Sequence, residues 1–188
     1  MSGSPSSSAI VAELADLYAG PLAHRLYDEV ITELEHALQA ALLADSDGAG
    51  DELVAAALLH DVGHLILDDN VTLDDELTED FGHDRAGARH LARHFPASVS
   101  APVALHVTAK RYLCATEPGY EESLSASSTR SLGVQGGPMD DDEVAAFEGR
   151  PGWEAAVAVR RWDDLAKVAD LQVPGFDTYL PLLERLAR

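Results

Sequence analysis

The chain has 188 residues, 46% of them hydrophobic, and a formal net charge of −20. That length and apolar share suit one domain with a real core and exclude global disorder. The acidity argues against nucleic acid, which needs clustered Lys and Arg to displace counterions, and no apolar run is long enough for a membrane span.

Met1–Ser8 is rich in Ser and Gly, lacks the basic start and apolar run of a secretory leader, and reads as a loose tail before one domain over residues 9–188. Ile10, Leu14, Leu17 and Tyr18 then share a helical face. Val30, Leu34, Ala37, Leu38 and Ala41 form a second stripe that breaks at Asp45-Ser-Asp-Gly. Asp51 and Glu52 place acids at the positive end of a helix expected to run unbroken to His64. Asp68–Asp80 is acidic and irregular and reads as a loop. Gly82–Phe95 is expected to be helical and to stop before Pro96. Ser98 or Ser100 is expected to cap a helix that Pro102 starts and that carries His106 and Lys110. Tyr112–Pro138, with its Pro, Gly and Ser clusters, has no clear periodicity. Asp140–Phe147 reads as a short helix, Trp153–Ala169 as a long amphipathic one, and Tyr179–Leu186 as a last short one. No stretch alternates long enough for a sheet, so the expected class is all-α. The single cysteine, Cys114, cannot form an internal disulfide, which fits a reducing cytoplasm.

The chemistry concentrates at Leu58-Leu59-His60-Asp61-Val62-Gly63-His64. An adjacent His and Asp at the polar end of an apolar run need a partner. Burying an unpaired carboxylate is costly, and a metal or a strong cation removes that cost. A lone buried His is more often a hydrogen-bonded core residue, but here the set extends. His36 and His106 interrupt apolar stripes, His83 sits at a helix start, and Asp163 and Asp164 interrupt the last long helix. Four histidines with aspartates on separate helices can converge on two metals, and mixed N and O donors suit iron, manganese or zinc better than calcium. His24 lacks this context. His90 and His94 are one turn apart, but Arg89 and Arg93 beside them favour a solvated face.

The order His36, His60-Asp61, His83, His106, Asp163 resembles the HD-domain superfamily, most of which hydrolyses phosphate esters. Three further segments resemble a narrower group, the mixed-valent diiron oxygenases of phosphonate breakdown. These are Tyr27-Asp-Glu-Val-Ile-Thr-Glu-Leu-Glu-His36-Ala-Leu-Gln39, Ser131-Leu-Gly-Val-Gln-Gly-Gly-Pro-Met139, and Arg160-Arg-Trp-Asp-Asp-Leu-Ala-Lys167. The similarity runs from about Leu17 to Lys167.

The resemblance implies a helical HD bundle around a dinuclear site. His36, His60, Asp61, His83, His106 and Asp163 would hold two irons as an Fe(II)/Fe(III) pair, with Asp61 bridging and Asp164 as the neighbouring alternative to Asp163. The group's anion-binding residues fall on His64, Lys110, Ser128 and Arg160. His64 follows His60, and Lys110 follows His106, by one helical turn; Arg160 precedes Asp163 by three residues. Each therefore shares a face with a candidate ligand. Taken singly, a helix-end His, a snorkelling Lys and a surface Arg are the ordinary readings, and the threefold repetition weakens them. Metals with Lys and Arg would make a positive pocket inside an acidic protein, as a phosphonate dianion requires. Tyr27 and Glu29 would close over the site toward the substrate's amino end. Asp28 and Glu33 depart from the group's usual Gly and Gln, and both are expected to add negative charge near the mouth.

The implied reaction is O2-dependent cleavage of the carbon–phosphorus bond of a small 1-hydroxyalkylphosphonate, with a 2-amino or 2-ammonio group expected. Its products would be phosphate and a carboxylic acid. The implied partners are that small molecule and O2, with no nucleic acid and no membrane, and a monomer or small homo-oligomer in the cytoplasm. The competing readings are a metal-dependent HD phosphohydrolase acting on a phosphomonoester or nucleotide, a helical module that only binds, and a diiron oxidation of a cyclic polyol.

Overall fold

A computed structural model describes residues 7–28, 30–67 and 82–188. The Asp68–Asp80 segment expected to be a loop, and Glu29, lie outside the described residues. Helix α1 spans Ser7–Ala19 and is followed by a 3-10 turn at Pro21–His24. Strands β1 (Leu26–Asp28) and β2 (Ile31–Thr32) form a minimal antiparallel pair, too short for any alternation to register in the sequence. Then come α2 (Glu33–Ser46), α3 (Asp51–Leu59), α4 (Val62–Ile66), α5 (His83–Leu91), α6 (Ala97–Thr116), α7 (Tyr120–Ser123), α8 (Ala126–Val134), α9 (Asp141–Glu148) and α10 (Trp153–Leu165). A 3-10 turn at Phe176–Tyr179 leads into α11 (Leu180–Leu186). The all-α expectation holds.

The core is built around α3. Every residue from Val54 to Leu59 is buried, so this helix is apolar all round and lies inside the bundle. Its run of three alanines lets α2, α6 and α10 approach closely. Helix α6 is the second axis, packed by α5 and α10 along its length. A capping box of two reciprocal bonds fixes the entry to α2. Thr32 Oγ1 accepts from the Glu35 backbone N–H, and the Glu35 carboxylate accepts from the Thr32 backbone N–H.

Four helix boundaries differ from expectation. The helix expected over Asp51–His64 breaks at His60 and Asp61, where Asp61 takes φ −103° and ψ 14°. The carbonyls at the end of α3 are satisfied sideways: Ala57 O accepts from His60 Nδ1 at 2.7 Å and Leu58 O from the Tyr18 hydroxyl at 2.9 Å. Helix α6 starts at Ala97, with Pro102 inside it. The Pro96 carbonyl accepts from the Val99 and Ser100 N–H groups, and Pro102 deletes only one ladder bond near the start. Helix α5 ends at Leu91 in tight turns that bury Phe95. Helix α10 stops at Leu165 instead of Ala169, because the chain beyond it is bonded to α2. The Ala166 carbonyl meets His36 Nδ1 at 2.8 Å. Val168 exchanges two bonds with the Gln39 amide, at 2.8 and 3.0 Å.

Within Tyr112–Pro138, α6 continues to Thr116 and α8 starts on a Ser125 cap. The Gln135-Gly136-Gly137-Pro138 segment then ends α8. Gly136 and Gly137 take φ of 101° and 73°, a region where a side chain is strained. The Gly137 carbonyl accepts from Arg111 Nε at 2.7 Å, and Glu143 holds the same guanidinium at 2.8 Å. This turn therefore anchors α8 to α6 at the residue next to Lys110. Among the described residues, no helix is long and apolar enough to cross a membrane.

Candidate metal centre and anion pocket

The break between α3 and α4 places Asp61 in the interior, with its two oxygens facing different groups. On the Oδ2 side stand His60 Nε2 at 3.2 Å and His36 Nε2 at 3.6 Å. Asp163 Oδ1 joins them, 3.4 Å from His36 Nε2 and 4.0 Å from His60 Nε2. On the Oδ1 side stand His106 Nε2 at 3.3 Å, His83 Nε2 at 3.5 Å and His64 Nε2 at 3.8 Å. The donors thus form two clusters joined through one carboxylate, drawn from α2, the α3–α4 break, α5, α6 and α10.

The orientation of the rings tests whether this set fits metal. His36, His60 and His106 each direct Nδ1 at a backbone carbonyl, at 2.7–2.8 Å. A carbonyl only accepts, so each Nδ1 carries the hydrogen and each Nε2 presents a lone pair to the centre. His36 and His60 Nε2 are 3.0 Å apart, which demands a shared cation, either a proton or a metal ion. Burial lowers the His36 pKa, against the pull of Asp163. Burial also works against a charged His60, but the Asp61 carboxylate outweighs it and raises His60 to about 9. Burial, and then the neighbouring His64, hold His83 well below its ordinary value. Both aspartates are buried yet strongly acidic: burial opposes ionisation, but His60 and His106 hold Asp61 down, and Arg160 and Lys167 hold Asp163 down. Anionic oxygens with lone-pair nitrogens around two centres are the donor set of a metal site.

Asp163 and Asp164 separate cleanly. Asp163 Oδ1 turns to His36 and His60, while Asp164 binds Arg160 and the Tyr120 hydroxyl. Arg160 is held from three sides: Nη1 meets Asp163 Oδ2 at 2.7 Å, Nε and Nη2 meet Asp164, and Nη2 reaches Ser128 Oγ at 3.4 Å. Lys110 Nζ donates to Ser131 Oγ at 2.6 Å and reaches the Ser128 carbonyl at 3.4 Å. Burial, reinforced by Arg160, brings the Lys110 pKa down to about 7. Lys110, Ser128 and Arg160 therefore converge, whereas His64 lies with the second donor cluster and stacks on His83 at 4.0 Å. Tyr27 stacks on His36 at 3.8 Å, and its hydroxyl donates to Asp163 Oδ1 at 3.4 Å.

Two expectations are corrected. Glu33 does not charge the mouth: it is buried and paired with Arg25 Nη2 at 3.4 Å. His94 is not on a solvated face, because α5 ends in turns that bury it and its carbonyl accepts from the Arg188 backbone N–H. Tyr120, Ser131 and Gln39 were not singled out in the sequence. Gln39 and Ser131 each stand at one end of a segment that carries the resemblance, and Ser131 is one helical turn beyond Ser128, whereas Tyr120 has no such signal.

Fold and site together define a helical protein with a candidate metal centre built on a His-Asp pair. The HD domain family matches residues 34–131, just over half of the chain. A hydroxymethylphosphonate dioxygenase of Gimesia maris is 49% identical over 153 residues, 81% of this chain and 76% of the relative. A [1-hydroxy-2-(trimethylamino)ethyl]phosphonate dioxygenase (glycine-betaine-forming) of Leisingera caerulea is 43% identical over 159 residues, 84% and 80% of the two chains. An uncharacterised protein of Acanthamoeba polyphaga mimivirus is 32% identical over 153 residues, 81% and 70%. The chain belongs to the HD-domain family, in its phosphonate dioxygenase branch.

Proposed function

We propose that this protein is an O2-dependent non-heme diiron oxygenase that cleaves the carbon–phosphorus bond of a small 1-hydroxyalkylphosphonate. One observation carries the reading. A single carboxylate, Asp61, turns one oxygen to each of two histidine clusters, and Lys110, Arg160 and Ser128 gather at the same centre. One iron would be held by His36, His60, Asp61 and Asp163, and the other by Asp61, His83 and His106. Such a pair, held at Fe(II)/Fe(III), would supply O2 activation and Lewis acidity toward the substrate's oxygens.

The protein's own share is binding, orientation and exclusion of water. Lys110, Arg160 and Ser128 take the phosphonate, with His64 a further donor from beside the second cluster, as charge-assisted donors suit a dianion. Tyr27 covers the first cluster and would face the substrate's carbon end, and Glu29 is assigned to that end by the family resemblance alone. The hydroxyl-bearing carbon loses one bond to hydrogen and its bond to phosphorus and gains the second oxygen of the carboxylate, while phosphorus gains the fourth oxygen of phosphate. Each turnover takes one O2 and releases one carboxylate, one phosphate and one proton. The names of the two dioxygenase relatives differ only at that carbon end, hydrogen in one and a trimethylammonio-methyl group in the other. A cytoplasmic monomer or small homo-oligomer is the setting we propose.

The test is an aerobic-versus-anaerobic assay of iron-loaded protein with hydroxymethylphosphonate, 2-amino-1-hydroxyethylphosphonate and its N-trimethyl form. Phosphate release should require O2 and match its consumption one to one. Phosphate release from a phosphomonoester without O2, and none from the phosphonates, would replace this reading with hydrolysis.

A further inference from the structure

We propose that Lys167 is an additional substrate-binding cation of the anion pocket, reaching the phosphonate beside Ser128; the inference rests on the phosphonate reading above. Arg160 is closely matched by carboxylates, with Asp163 on Nη1 and Asp164 on Nε and Nη2. Lys110 Nζ is engaged by Ser131 Oγ at 2.6 Å and the Ser128 carbonyl at 3.4 Å. Three cations stand against two carboxylates here, so removing one leaves no excess positive charge from the protein for a dianion.

Lys167 is placed to supply that excess. Its Nζ is 3.4 Å from Ser128 Oγ, the same oxygen that Arg160 approaches. It is 3.8 Å from Asp163 Oδ1 and 5.8 Å above the Tyr27 ring. These contacts are long, so they hold the ammonium weakly and leave its donors able to turn to an incoming oxyanion. Yet the side chain is only 14% exposed. An ordinary lysine past a helix end extends into water and interacts with the helix dipole. Lys167 points inward because the backbone on both sides is tied to α2. The Ala166 carbonyl is bonded to the candidate ligand His36, and Val168 is bonded twice to Gln39. The same tie that orients a metal ligand thus aims the lysine at the pocket.

The experiment uses iron-loaded wild type, Lys167→Met and Lys167→Arg, with metal content and melting temperature measured for each. Inorganic phosphate binding is read by calorimetry, and KM and kcat with hydroxymethylphosphonate by O2 consumption. Lys167→Met should raise both the phosphate Kd and the phosphonate KM about tenfold, as expected for one charge-assisted contact, with kcat within a few-fold of wild type. Lys167→Arg should restore most of both. Unchanged Kd and KM in Lys167→Met, or a wild type that takes no phosphate, would overturn the proposal. If the Met variant fails to fold, Lys167→Gln, which keeps a polar end, serves the same comparison. A wild type that binds phosphate through Lys167 but consumes no O2 with any hydroxyphosphonate would overturn the oxygenase reading and leave this one standing.

Discussion

His36 and His60 present their Nε2 atoms to each other at 3.0 Å while both Nδ1 atoms are committed to backbone carbonyls. Two lone pairs at that distance repel unless a cation lies between them. Asp61 raises the His60 pKa to about 9, so a proton on His60 is the competitor for that position. Metal must displace it. The sign follows: below about 9 the proton competes, so apparent metal affinity should strengthen with rising pH, by about tenfold per unit up to that point. Metal titrations of stripped protein between pH 6.5 and 9, with proton release followed by indicator dye, check this. A pH-independent affinity would contradict it.

Asp61 serves both clusters, so its loss should not be shared out between them. Asp61→Ala should lower iron from about two ions per chain to less than about one and abolish turnover. Elemental analysis against protein concentration reads the stoichiometry. A variant that kept both ions and full activity would refute the bridging role.

Gly63 lies where α4 meets the start of α5. A Cβ built there would sit 1.9 Å from the His83 carbonyl oxygen, a backbone atom that cannot swing aside. Gly63→Ala should therefore displace α5, cost about 1–3 kcal/mol of stability as an overpacked contact, and weaken the cluster containing His83 more than the one containing His36. Thermal melts and iron stoichiometry test both halves of that statement.

Lys110, at about 7, is half-charged near neutrality in the free protein. Its ammonium is lost as pH rises through that value, so phosphonate KM should increase from pH 7 to 9 and kcat should follow less. Lys110→Arg keeps its charge throughout and should flatten the profile. Parallel pH profiles of KM for the two proteins decide it.

Gln39 bonds Val168 rather than a donor residue, and so fixes the stretch of backbone beside His36 and Lys167. Gln39→Ala removes the two bonds to Val168 and loosens the carbonyl that orients His36. The expected result is about 1–2 kcal/mol of lost stability and iron affinity lower by about tenfold. Denaturant melts with competitive chelation measure both.

Much of this protein is legible in its residues alone. Apolar spacing marks the helices, Val54–Leu59 marks the innermost one, and His36, His60, Asp61, His83, His106 and Asp163 stand out because each breaks an apolar stripe or sits at a helix end. Periodicity reports which face of a helix avoids water, and a polar residue on that face advertises an unmet need. It does not report what meets the need. Asp163 and Asp164 are adjacent and chemically identical, and only packing turns one to His36 and the other to Tyr120 and Arg160. The helix break at Asp61 and the early ends of α5 and α10 belong to the same category. Local sequence favours continuing each helix there, but partners distant in the chain prevail over the next turn, as when Tyr18 bonds Leu58 across a separation of 40 and Gln39 bonds Val168 across 129. Hydrogen bonds and ion pairs of that kind depend on distance in space, and the chain acquires those distances only when the bundle closes.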